Sequence, residues 1–375
     1  GLVQTFAKNP FQFSFGFSPI FLNKGKGCYV SDINGNILID TIMGIGPLIL
    51  GYNNKIINKA IKSQINKGII FSLTNPQEVE LAEILNRETK FDMFKFSKTG
   101  ADVTSAAIRL SRAYNGKEKI LSCGYHGWHD WSAASLKRNN GIPKYSKKII
   151  QKFEYNNLKD FLNKVDNKTA AVIMEPIIFE KPNLKFLKTI RQITRQKKIV
   201  LIFDEMWTGF RLDIGGASKI LKIKPDLVCY SKAIANGMPI SVLGGSKKIM
   251  NLLDKDVFFY TTFGAETLSI SSAIATIKLL KRDKVLQKIN SRGQNLINNI
   301  NKLINKHNVT SVSIQGYGSR FRFILKDKKN ILKTFMHEQY LQNNILWNGI
   351  ITLSYSHKNK ELKKIIDATD KILKK

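Results

Sequence analysis

Cysteine is nearly missing from this chain: Cys28, Cys123 and Cys229 are the only three in 375 residues, and no Cys-x-x-Cys pair occurs. That argues against a disulfide frame and a cysteine-based zinc site, and reduced thiols in a cytoplasmic protein are the expectation. Long apolar runs are also missing. None approaches the roughly 18 residues that a membrane span needs, so no membrane partner is expected. The start, Gly1-Leu2-Val3-Gln4-Thr5, lacks the basic-then-apolar form of a secretory signal. Acid is scarce, with 28 Asp and Glu against 60 Lys and Arg, a formal net charge of +32. Such a charge suits nucleic acid. Here, however, lysine is interleaved with Asn and Ile along the whole chain, as in Asn53-Asn54-Lys55-Ile56-Ile57-Asn58-Lys59, and no dense basic block forms. No zinc-finger, RNP or KH motif appears. Dispersed surface lysine is the reading, and no nucleic-acid partner is expected. A basic scaffold or nucleic-acid-binding protein on an enzyme fold is the alternative from another class.

What is present describes a globular protein with a full core: 43% hydrophobic and 23% charged residues. Residues 26–40 form two half-apolar runs around Asn34-Gly35, a hairpin signal. Helical spacing covers 53–67 and 77–87. From Phe94 onward, strand and helix alternate. Apolar runs at 94–97, 119–123, 170–174, 199–204 and 240–244 are separated by helical stretches at 101–114 and 184–197. Residues 141–168 are expected to be looped, with one helix near 157–164. This alternation predicts a mainly parallel sheet covered by helices. Strands near 311–314, 320–325 and 350–354, with helices near 283–306, 330–343 and from 359, predict a smaller α+β domain. The expected division is 1–50, 51–280 and 281–375.

The sequence centres on Ile199 to Lys232. The run Ile199-Val200-Leu201-Ile202-Phe203 stops at Asp204, and Leu227-Val228-Cys229-Tyr230 stops at Ser231-Lys232. Ligands of open α/β sheets sit at the carboxyl ends of the strands. A desolvated lysine amine forms a Schiff base with a carbonyl. Pyridoxal phosphate needs such a lysine, together with an acid on its pyridine nitrogen. A turn-capping Asp and a solvated Lys are the plain alternative. Other strand ends carry suitable groups. Gly100 opens a helix, where backbone N–H groups and the helix dipole favour a phosphate, or where a glycine merely makes a tight turn. Tyr125, in the loop Gly124-Tyr125-His126-Gly127-Trp128-His129-Asp130-Trp131, has a face for stacking, although aromatic rings mostly fill cores. His126 and His129 stand three apart without further ligands, so no metal is expected.

Together these segments resemble the class III, fold-type-I aminotransferases that depend on pyridoxal phosphate, and within them the group of glutamate-1-semialdehyde aminomutase. The likeness runs from about residue 10 to the end. It is strongest at Thr99–Tyr114, Gly124–Asp130, Met174–Pro176, Leu201–Arg211, Pro225–Pro239 and Thr261–Thr267. The resemblance implies a large cofactor-binding domain on a mainly parallel sheet and a small domain built from the two chain ends. It implies Lys232 as the Schiff-base lysine and proton carrier, Asp204 at the pyridine nitrogen, Met206 on one ring face and Tyr125 on the other. Gly100 and Ala101 would offer N–H groups to the phosphate, with Ala101 standing where the family carries a hydroxyl. Thr262 would reach the phosphate of a second subunit, making a homodimer with shared sites. Glu175 and His126 would line the substrate pocket, with a structural role at the strand end as the alternative for Glu175. The implied reaction moves an amino group from a small-molecule donor to an aldehyde or keto acceptor.

Three departures separate the chain from the aminomutase. Ile20 stands where the aminomutase has a carboxylate-binding arginine, and this chain has no arginine before Arg87. Gly349 stands near an expected glutamate. The gating segment between Trp131 and Ile149 is short. An aminotransferase for another small molecule, such as a sugar precursor, is therefore expected ahead of the intramolecular aminomutase reaction.

Overall fold

In a computed structural model, residues 3–327 and 329–375 are described. The first two residues of the amino-terminal stretch lie outside them. The chain forms two compact units, residues 60–277 and a unit built from residues 1–59 and 278–375.

The second unit begins with strands β1 (Leu22–Lys26), β2 (Tyr29–Asp32) and β3 (Ile37–Asp40). The expected hairpin is β2–β3. Asp32 shapes its turn by accepting the N–H groups of Asn34 and Asn36, each at 2.9 Å, and Gly35 takes a positive φ of 87°.

The larger unit carries a seven-stranded sheet: β4 (Met93–Ser97), β5 (Lys119–Cys123), β6 (Ile150–Lys152), β7 (Thr169–Met174), β8 (Val200–Asp204), β9 (Leu227–Tyr230) and β10 (Ser241–Gly245). Their order is β4-β10-β9-β8-β7-β5-β6. β7, β8 and β9 are buried throughout, as continuous apolar runs in a covered parallel sheet should be. Alternate residues serve two cores. Ile173 and Ile202 pack with Val103, Ala106 and Leu110 of the helix Gly100–Asn115. Val172, Leu201 and Phe203 pack with Phe186, Leu187 and Ile190 of the helix Leu184–Gln196. β10 departs from the expected direction, running antiparallel to both β4 and β9. Residues 141–168 are also more ordered than expected, with a helix at Lys144–Ile149, edge strand β6, and the helix Leu158–Lys164. The carboxyl ends of β4, β5, β7, β8 and β9 share one edge of the sheet.

The remaining strands are β11 (Val312–Tyr317), β12 (Arg320–Leu325), β13 (Ile345–Leu346) and β14 (Ile350–Thr352). β13 extends the amino-terminal sheet beside β3, and the other three form a separate sheet. Among the described residues, no helix is long and apolar enough to cross a membrane.

Candidate active site

Asp204 ends β8 directly opposite Cys229 of β9. Lys232 follows three residues later, so the parallel ladder delivers acid and amine to adjoining positions of one sheet edge. Asp204 is 1% exposed. One carboxylate oxygen accepts the Met206 N–H at 3.0 Å. The other lies 2.8 Å from His126 Nδ1. An ionised carboxylate only accepts, so the imidazole donates from Nδ1. The orientation of that ring is fixed from behind. Thr104 Oγ1 donates to the His126 carbonyl at 2.8 Å, and Trp131 stacks on the imidazole with centroids 6.3 Å apart.

Lys232 is half-buried and opens a single helical turn, Lys232–Ala235, with φ of +50°. A non-glycine residue in the left-handed region costs about 1–2 kcal/mol, and such strain gathers at functional sites. The preceding Ser231 is tied to the Ile240 carbonyl at 2.7 Å, which holds the β9 exit against the entry to β10.

Glu175 follows β7 and accepts the Tyr125 N–H at 3.0 Å. Burial pushes its carboxyl up and the Asp204 charge pushes the same way; the Tyr125 N–H, His126 and Lys232 oppose them. Glu175 therefore lies within electrostatic reach of Asp204, His126 and Lys232. Tyr125 itself is 60% exposed.

The helix Gly100–Asn115 starts with a capping box. Asp102 accepts the Thr99 N–H at 2.7 Å and the Ser97 hydroxyl at 2.9 Å, and returns its own N–H to Thr99. The first helical N–H groups, at Gly100 and Ala101, have no intrahelical acceptor and point out of a 16-residue helix. The backbone around them is tight. A Cβ on Gly100 would stand 2.8 Å from Met206 Sδ. One on Gly127, whose φ is +104°, would stand 2.7 Å from the Ala101 Cβ. The aromatic loop thus closes on the helix start only because position 127 is glycine.

The structure gathers Gly100, Ala101, Tyr125, His126, Glu175, Asp204, Met206 and Lys232 on loops leaving one sheet edge. Thr262 is exposed, and no described hydrogen bond joins it to Gly100, Asp204 or Lys232. Among the described residues, no group of His, Cys, Asp and Glu could hold a metal ion. Glu205, beside Asp204, has a different task. It accepts the Thr208 hydroxyl and the N–H groups of Ala217 and Ser218, each of the latter at 2.7 Å. Burial raises its carboxyl to about 7. Gly216, with φ of +69°, leaves room for that carboxylate, since a Cβ there would stand 2.3 Å from it. The acid-acid pair in sequence gave no sign that one member anchors a helix and the other faces the site.

These residues fit pyridoxal phosphate. Each Asp204 oxygen accepts one donor and keeps a second acceptor site that a protonated ring nitrogen would satisfy. Met206 and Tyr125 offer a soft and an aromatic surface. The helix start offers N–H groups to a phosphate.

The family model for class-III aminotransferases matches residues 14–356. The chain is 34% identical over 361 residues to a 3-aminobutyryl-CoA aminotransferase of Cloacimonas acidaminovorans, covering 93% of this chain and 86% of that one. It is 32% identical over 393 residues to a glutamate-1-semialdehyde 2,1-aminomutase of Sulfolobus acidocaldarius, covering 95% and 92%. The fold matches an omega-transaminase from Sphaerobacter thermophilus with a TM-score of 0.89 at 23% identity, over 96% of this chain and 92% of that one.

Proposed function

Because this chain belongs to the class-III aminotransferases, and is thus a pyridoxal-phosphate-dependent enzyme, we propose that it is a transaminase that binds its cofactor through Lys232. The observation that carries this reading is the β8–β9 register, which sets Asp204 opposite Cys229 and Lys232 three residues beyond. When bound, the cofactor supplies an electron sink for the pair left behind as a proton leaves the substrate carbon. Asp204 holds the ring nitrogen and keeps it protonated, with its own position set by His126 and the Met206 N–H. Lys232, once displaced by the donor amine, takes the proton from the amine-bearing carbon as a base and returns it as an acid. Gly100 and Ala101 hold the phosphate by backbone N–H groups. Glu175 holds the Tyr125 loop through the Tyr125 N–H, and the Tyr125 side chain would stack on the cofactor.

Thr262 from a second copy completes the phosphate site in a homodimer. Large apolar side chains exposed near it support that arrangement, with Phe258 at 72% and Phe263 at 57% exposure. The free, buried Cys28, Cys123 and Cys229 support a reducing cytoplasm.

The carbonyl acceptor is a small molecule, such as a sugar precursor, that is not held by an arginine–carboxylate pair at position 20. Ile20 stands where the aminomutase places arginine, and an alkyl group does not replace a bidentate guanidinium. The Cloacimonas relative, named for a CoA thioester, supports the same preference. The test is a half-reaction screen of amino donors, followed by visible absorbance, on wild type and Lys232→Ala. Wild type should change colour with an accepted donor and need a separate acceptor to recover. An enzyme that isomerises glutamate-1-semialdehyde without a second partner would overturn the transaminase reading, as would colourless protein that binds DNA.

A further inference from the structure

The helix Leu184–Gln196 turns its apolar side, Phe186, Leu187 and Ile190, into the sheet. Its outer side carries Lys188, Arg191, Gln192, Arg195 and Gln196, at spacings of three and four residues, so these five share one face. That face is concave. With Lys222 and Lys224 it lines a cavity of about 370 Å³, containing five cations and no acid. The volume falls within the range of small-ligand sites.

Two of the cations are already engaged. Arg191 grips Asp226 through two bonds of 2.7 Å. Its Nε is buried and has no hydrogen-bond partner among the described residues, so the guanidinium is held in place by Asp226 alone. Lys224 donates to the Lys90 carbonyl at 2.6 Å and lies over the Phe91 ring. Lys188, Arg195 and Lys222 are exposed and have no acidic partner among the described residues. Three unneutralised charges on one concave wall repel one another, and a bound anion removes that repulsion. Lys188 and Arg195 are two helical turns apart, about 10 Å along the axis. One phosphate does not bridge that distance, but a chain of phosphates does. Gln192 and Gln196 add amide donors on the same face.

We propose that this groove binds a small molecule carrying a di- or triphosphate chain. It belongs to the larger unit and stands apart from the transaminase reading. Either can fail without the other.

The test uses the full chain loaded with cofactor, so that the cofactor's own phosphate site is filled. Inorganic tripolyphosphate is titrated calorimetrically at fixed ionic strength. The groove variant is Lys188→Gln/Arg195→Gln/Lys222→Gln. The control variant, Lys302→Gln/Lys363→Gln/Lys364→Gln, removes the same charge from exposed lysines elsewhere. Wild type should show one saturable site per chain, with inorganic phosphate binding at least tenfold more weakly. The groove variant should lose at least tenfold in affinity and the control less than threefold. Equal losses would mean that tripolyphosphate responds to overall charge alone and would overturn the site, as would the absence of saturable binding. A single-stranded oligonucleotide displacing tripolyphosphate at tenfold lower concentration would replace the small-molecule assignment with a nucleic-acid one.

Discussion

Replacing His126 probes the site without touching the lysine. His126 and Asp204 are each 1% exposed at the side chain, and their contact is 2.8 Å. A hydrogen bond to a buried charged group contributes about 1.5–3 kcal/mol. At 1.4 kcal/mol per factor of ten, its loss corresponds to roughly 10- to 100-fold. His126→Phe keeps a flat ring against Trp131 but removes the donor. Its cofactor affinity, read by spectral titration of the apoprotein, should fall by that factor. His126→Asn places an amide N–H near the former Nδ1 and should stay within threefold of wild type. Thermal unfolding of each apoprotein separates site effects from global ones. Phe within twofold of wild type, or Asn as weak as Phe, would refute the reasoning. The first outcome would mean that Asp204 needs no support, and the second that ring volume matters and the donor does not.

Lys98 joins Glu266 in a 2.5 Å ion pair and also donates to the Pro239 carbonyl at 2.9 Å, binding the turn before Gly100 to the loop that carries Thr262. Lys98→Met leaves a mostly buried carboxylate without its cation and should cost about 1–3 kcal/mol in urea unfolding, with Lys98→Met/Glu266→Met recovering part of it. Glu205 gives a pH dependence of definite sign. Its carboxyl is raised from 4.5 to about 7 by burial, so the folded state holds the proton more tightly than the unfolded one. That contribution, about 3 kcal/mol, is complete below pH 4.5 and is lost as pH rises through 7. Thermal midpoints from pH 5 to 8 should fall with a slope that Glu205→Gln flattens.

Much of the large unit was legible because parallel strands buried on both faces are continuous apolar runs, and each here stops at a distinctive residue. Gly100, Glu175, Asp204 and Lys232 could be placed at strand ends for that reason. The direction of β10 was not legible, since an apolar run such as Ser241–Gly245 carries no sign of its polarity. β6 was missed because Ile150–Lys152 is three residues long and only Ile150 is buried. The link between His126 and Asp204 spans 78 positions. In the sequence His126 stands out only as one of two histidines three apart in the aromatic loop, and its pocket role comes from the family resemblance. The fold turns the imidazole onto the carboxylate.

The central claim is that Lys232 is the amine that carries the cofactor. Borohydride reduction of the coloured protein, followed by digestion and peptide mass spectrometry, tests it directly. The account predicts one modified lysine, Lys232, and no modification in Lys232→Ala. A pyridoxyl group on any other lysine of an active preparation would contradict it.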